Sequence, residues 1–211
     1  VNPTLFSKPP LASRIWAPLC LLLLALLSGC QSTPHKIPGA AEQLQHLYEV
    51  ADWEVEGKIA ITLGNDRENA SFKWSQEREN YVIHLFGPFG QGGTWLRRTD
   101  RGVILENAKT GIKHARSAEA LMQEVLGWQV PVSNLQYWLR GLPAPKPTPS
   151  QLEPDTSGHL LRLQQQGWRV DYSAYQDFHG WWLPTKINAE RDDLRIRLVI
   201  KQWQLPTAPV F

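Results

Sequence analysis

The sequence predicts a single α+β domain built on one large, curved antiparallel sheet. Three observations carry that reading. Long runs alternate apolar and polar residues with a period of two, short Gly, Asn and Asp turn signals separate them, and two helical stripes interrupt them mid-chain. About ten to eleven strands are expected, and a sheet that large tends to curl. Helices laid over its concave side can leave an apolar ligand space between the layers.

The elements follow in order. Residues 40–51 place Leu44, Leu47, Tyr48 and Ala51 at helical spacing. Trp53, Val55, Gly57, Ile59, Ile61 and Leu63 then alternate with Glu54, Glu56, Lys58, Ala60 and Thr62, a half-buried strand. Gly64-Asn65-Asp66 turns the chain, and Ala70, Phe72 and Trp74 line one face of the next strand. Tyr81 to Phe86 forms a third and stops at Gly87-Pro88. There Phe89 stands alone among Gly90, Gln91, Gly92 and Gly93, at the tip of a loop. Residues 94–98 and 103–106 continue the meander around Asp100-Arg101-Gly102.

Ser117 is a good N-cap with Glu119 in the first turn, and Leu121, Met122, Val125 and Leu126 form a stripe that Gly127 ends. A second helix begins near Pro131-Val132-Ser133, carries Leu135, Trp138 and Leu139, and stops at Gly141. Pro143, Pro145, Pro147 and Pro149 alternate in a stiff extended link. Strands resume at 160–163 and 168–172, and the runs 181–189 and 194–201 make a last hairpin around Arg191-Asp192-Asp193.

The start of the chain reads as a leader. Lys8 and Arg14 precede the apolar run 19–27, and no acidic residue occurs before Cys30. Leu27-Ser28-Gly29-Cys30 resembles a bacterial lipobox, which implies a signal peptide at 1–29 and acylation of Cys30. The alternative is an ordinary signal peptide that contains a cysteine. Residues 30–40 would be a flexible tether, and 41–211 the domain. The net charge of +2 resides in Lys8 and Arg14, so the mature chain is neutral. Neutrality and export both argue against nucleic acid. With Cys30 occupied, neither disulfides nor cysteine metal sites remain. All but one of the ten tryptophans lie beyond the leader, which suits a bulky β core, a lined cavity or a membrane-adjacent rim.

Catalytic patterns are missing. There is no Gly-x-Ser-x-Gly elbow, phosphate loop or zinc helix, and the six histidines lack ligand spacing. No metal, cofactor or catalytic residue is assigned.

Four segments resemble the LolB family of outer-membrane lipoprotein receptors. They are Trp53-Glu54-Val55-Glu56-Gly57-Lys58-Ile59-Ala60, Asn69-Ala70-Ser71-Phe72-Lys73-Trp74, Leu85-Phe86-Gly87-Pro88-Phe89-Gly90 and the 131–143 stretch around Trp138-Leu139-Arg140-Gly141. The resemblance implies an incomplete β-barrel with a helical lid over an apolar cavity. It implies a monomer that accepts acylated lipoprotein cargo from the periplasmic carrier LolA and inserts it into outer-membrane lipid, without nucleotide hydrolysis. It also implies a membrane-insertion loop at Gly87, Pro88, Phe89 and Gly90, where Phe89 replaces the family's Leu. Gln31 is not the Asp that resembles an inner-membrane retention signal. Expected on the cavity wall are Trp53, Ile59, Ile61, Phe72, Trp74, Ile83, Leu85 and Trp95, with plain core packing as the alternative. Leu121, Met122, Val125 and Trp138 are expected from the lid. A membrane-tethered lipid-binding protein or a periplasmic lipid hydrolase is the rival reading.

Overall fold

The computed structural model describes residues 40–88, 92–127 and 129–208, all within the unit Ile37–Phe211. The expected signal peptide, Cys30, Phe89, Gly90 and Trp128 lie outside the described residues.

Helix α1 (Ala40–Glu49) precedes six strands in a meander: β1 (Asp52–Leu63), β2 (Asp66–Glu77), β3 (Asn80–Phe86), β4 (Thr94–Thr99), β5 (Gly102–Asn107) and β6 (Gly111–Ala115). Helices α2 (Ala118–Leu126) and α3 (Val132–Trp138) follow. A second meander comprises β7 (Gln151–Pro154), β8 (Leu160–Gln165), β9 (Trp168–Phe178), β10 (Trp181–Arg191) and β11 (Leu194–Gln204). The sheet runs β6-β5-β4-β3-β2-β1-β11-β10-β9-β8-β7. It is antiparallel and open, with β6 and β7 as unpaired edges. Both edges were unassigned from sequence, because Gly111–Ala115 and Gln151–Pro154 are short and mostly exposed. Short edge strands, with Pro154 on one of them, discourage edge-to-edge association.

Local chemistry explains the turns and caps. Gln166 and Gly167 have φ of 53° and 75°, as a two-residue hairpin between right-twisted strands requires. Ser117 Oγ accepts from the Ala120 N–H at 3.2 Å, and Gly127 ends α2 in the left-handed region with its N–H on Gln123 O.

The first and last strands meet at the sheet's centre, where β1 pairs β11 from Glu54–Gln204 to Leu63–Leu194. Gly57 makes that seam close. A Cβ there would lie 2.4 Å from Val199 O, and the ring of Phe72, its cross-strand partner, fills the space above it. Alternation then sorts the faces: Leu194, Ile196, Leu198 and Ile200 are buried, while Arg195, Arg197, Val199 and Lys201 are exposed.

Most tryptophans serve the core. Trp53, Trp74, Trp138, Trp168, Trp181 and Trp203 are all buried, whereas Trp95 and Trp182 are partly exposed. No helix among the described residues is long and apolar enough to cross a membrane.

Candidate functional site

The two helices between the meanders cover the buried face of the sheet and roof an apolar hollow. Its floor is built from cross-strand pairs: Phe72 opposite Leu85 and Trp74 opposite Ile83 on β2 and β3, and Ile59 opposite Leu198 on β1 and β11, with Ile61 beside them. Its roof is Met122 of α2, Val130, and Val132, Leu135 and Leu139 around α3. Leu135 and Leu139 are four residues apart and so share one helical face. Every lining side chain is aliphatic, aromatic or a thioether. Trp74 fits because its indole N–H is satisfied away from the hollow, donating to Gln76 Oε1 at 3.0 Å.

The hollow is small. Its cavity volume is about 50 Å³, room for a few atoms against the several hundred Å³ common in ligand pockets. It comes nearest to solvent at Ile59 and Leu85, the half-buried members of its floor. Leu85 lies two residues before Gly87, where the loop between β3 and β4 departs.

Ile59, Ile61, Phe72, Trp74, Ile83, Leu85 and Met122 are thus brought together, and five other expected cavity residues stand elsewhere. Trp53 is wedged in the core between Trp74 at 5.6 Å and Trp203 at 5.4 Å between centroids. Trp95 points to the outer face, because Leu96 takes the inward position of β4; its ring stacks on His84 at 3.7 Å. Leu121 is fully buried and Val125 packs against the core. Trp138 is fully buried outside the hollow's lining and donates to Gln165 Oε1 at 3.0 Å. Leu198, Val130, Val132, Leu135 and Leu139 line the hollow and were missed. The first needed the β1–β11 pairing. Val130 and Val132 precede or open α3, where no periodicity marks a face, and Leu135 and Leu139 read from sequence only as the helix's apolar stripe.

Polar bonds hold the roof unevenly. Gln165 accepts from Trp138 and from the Ala144 N–H, and donates to Ala144 O and Pro147 O; Asn134 donates to Gln166. Arg140, just past α3, is 5% exposed. Its guanidinium donates to Leu47 O at 2.6 Å and Val50 O at 3.0 Å, and its Nε to Gln136 O. These are carbonyls that the end of α1 leaves unpaired, which a buried cation satisfies well. Burial pushes the Arg140 pKa down to about 10, so it stays charged at neutral pH. By contrast, among the described residues α2 has two polar ties beyond its own caps: Glu119 accepting from the Ser133 N–H at 2.8 Å, and an exposed Lys113–Glu124 pair at 3.5 Å. So α3 is bolted to the sheet and to α1, and α2 is held mainly by apolar contact.

Residues 51–203 match the profile of the family described as Outer membrane lipoprotein LolB. The chain belongs to the LolB family. The outer-membrane lipoprotein LolB of Pseudomonas aeruginosa is 41% identical over 189 residues, covering 86% of this chain and 92% of the relative. That of Cellvibrio japonicus is also 41% identical, over 91% of this chain and 98% of its own length. A LolA superfamily protein from Nitrosomonas europaea shares the fold, with a TM-score of 0.53 over 81% of this chain and 95% of that one at 12% identity. As a LolB-family member the chain is an outer-membrane lipoprotein of a Gram-negative bacterium with a role in lipoprotein localisation.

Proposed function

We propose that this LolB-family protein receives acylated lipoproteins from the carrier LolA in the hollow and releases them into the outer membrane. The observation that carries the reading is a lining without a single polar side chain, beneath a roof whose α2 half has few polar ties. Three acyl chains carry on the order of 45 methylene groups, and at about 0.8 kcal/mol each their passage through water would cost tens of kcal/mol. Direct handover from one apolar cavity to another avoids that cost and needs no nucleotide. Because the closed hollow holds about 50 Å³, cargo entry requires the roof to move, and α2 with the segment after it is the part that does so. α3 stays in place through Gln165, Gln166 and Arg140.

The acyl chains on Cys30 anchor the protein, which acts as a monomer. Phe89 follows Pro88 at the root of the loop that leaves β3 near the half-exposed rim of the hollow. Burying a Phe contributes about 1.5–3 kcal/mol, too little to anchor the protein and enough to hold a cavity mouth against lipid. Phe89→Glu therefore keeps the fold and cargo uptake and blocks delivery. The check is transfer of a lipoprotein from LolA through this protein to liposomes. Normal delivery by the variant would sink the loop's role.

A further inference from the structure

The outer face of the sheet carries a cluster of cations that the hollow does not use. Lys58 of β1, Arg67 of β2 and Arg197 of β11 border a shallow depression of about 510 Å³, and Pro88 borders it too. Register explains the grouping: Lys58 lies opposite Ser71 and Val199, Ala60 opposite Asn69 and Arg197, and Lys186 of β10 opposite Val199. All four cations are exposed. Small residues, Ala60 and Ser71, lie between them, and Val199 is 44% exposed.

These cations differ from their neighbours on the same face. Lys73 holds Glu54 at 3.0 Å and Glu56 at 3.2 Å, and Arg195 and Arg169 hold Glu190 at 2.6 and 2.7 Å. Lys58, Arg67, Lys186 and Arg197 make no ion pair among the described residues; Arg67 Nε reaches only the Asn69 amide oxygen, at 3.4 Å. Asp66 and Glu68 alternate onto the opposite face of β2. Glu56, beside Lys58, is held by Lys73. Four positive side chains thus share a patch without an ion pair of their own among the described residues, an arrangement that an external anion would relieve.

We propose that this patch binds the phosphate headgroups of anionic phospholipid in the bilayer surface. The inference rests on the reading that the 87–93 loop meets lipid, and it adds a headgroup contact beside that loop. Two features favour lipid over a small soluble anion. The cations are spread across four adjacent strands, about 4.8 Å apart per strand, so they form a broad array rather than a cup. The patch is also continuous with Pro88 at the root of the loop, so a bilayer touching the loop lies within reach of it.

The test uses the full chain carrying Cys30→Ser, which cannot be acylated, with vesicles of phosphatidylcholine alone or mixed with phosphatidylglycerol. Each Lys or Arg near an anionic surface adds roughly 1 kcal/mol, about fivefold in partitioning. For the four cations the expected preference for the anionic vesicles is therefore several hundredfold at low salt, and it collapses at high salt. The triple variant K58Q/R67Q/R197Q drops to about fivefold, the share left to Lys186, and K58R/R67K/R197K keeps the full preference. Equal binding to both vesicles, or an undiminished preference in the glutamine variant, overturns the proposal. So does loss of cargo uptake from LolA by the glutamine variant with no vesicles present, which assigns the patch to an acidic protein instead. Phe89→Glu separates the two readings: normal delivery with the lipid preference intact removes the loop's role and leaves the patch.

Discussion

Arg140 shows how one side chain organises the site without touching it. It joins α1 to α3 by satisfying backbone carbonyls rather than a carboxylate, so its removal leaves buried acceptors without donors. Arg140→Met is expected to destabilise the fold by about 1–3 kcal/mol, read as a lower urea midpoint. An unchanged midpoint would dismiss the latch. His84 gives a pH signature. Burial, with Arg97 adding to it, lowers its pKa below the ordinary imidazole value. The unfolded chain therefore takes up the proton first as pH falls. The contribution is full above the unfolded pKa and is lost as pH drops through the folded one. Wild type should lose stability across that window more steeply than His84→Gln, and matching pH profiles would refute the assignment. Trp95 against Leu96 marks a limit of reading single residues. Two adjacent apolar side chains in a strand point to opposite faces, and composition cannot say which one faces inward.

Strands and helices were legible wherever a period ran long enough. The twelve-residue β1 and the alternating β11 declare their dry faces, and Ser117 and Gly127 declare the ends of α2. The short edges β6 and β7 carry too few residues for a period to emerge. α3 shows a subtler failure: its stripe was visible, yet the hollow receives Leu135 and Leu139 while Trp138 turns to Gln165. The β1–β11 seam offers a sharp test of element packing. Gly57→Ala places a methyl 2.4 Å from Val199 O and 2.9 Å from the Phe72 ring. It should destabilise the protein by about 1–3 kcal/mol in thermal or urea unfolding. A neutral result would mean that the seam relaxes freely.

Across the whole molecule, stability and function pull in opposite directions at the hollow. An unfilled apolar space is a packing defect, and filling it should strengthen the fold. Val130→Ile adds one methylene to a cavity of about 50 Å³ and is expected to stabilise by up to about 1 kcal/mol. It should also slow the uptake of a fatty-acyl probe, because the roof then closes on a fuller interior. Stopped-flow fluorescence checks the rate and calorimetry the stability. Faster or unchanged uptake would argue that acyl chains enter elsewhere. The patch of Lys58, Arg67, Lys186 and Arg197 belongs to this scale as well, since four strands from two separate meanders assemble it.

Period-two alternation, turn residues and helix caps specified the α+β class, most elements and the apolar character of what the helices cover, because these depend on neighbours within a few residues. Of twelve wall residues expected from alternation and the helical stripes, six on β1, β2 and β3 and Met122 of α2 line the hollow. Pairings between distant segments lay beyond such alternation. That β1 joins β11, that Leu198 completes the floor, that Arg140 reaches α1 across some ninety residues, and that the hollow is narrow all follow from long-range closure and side-chain volume. Those are properties of the assembled chain, and no local pattern encodes them.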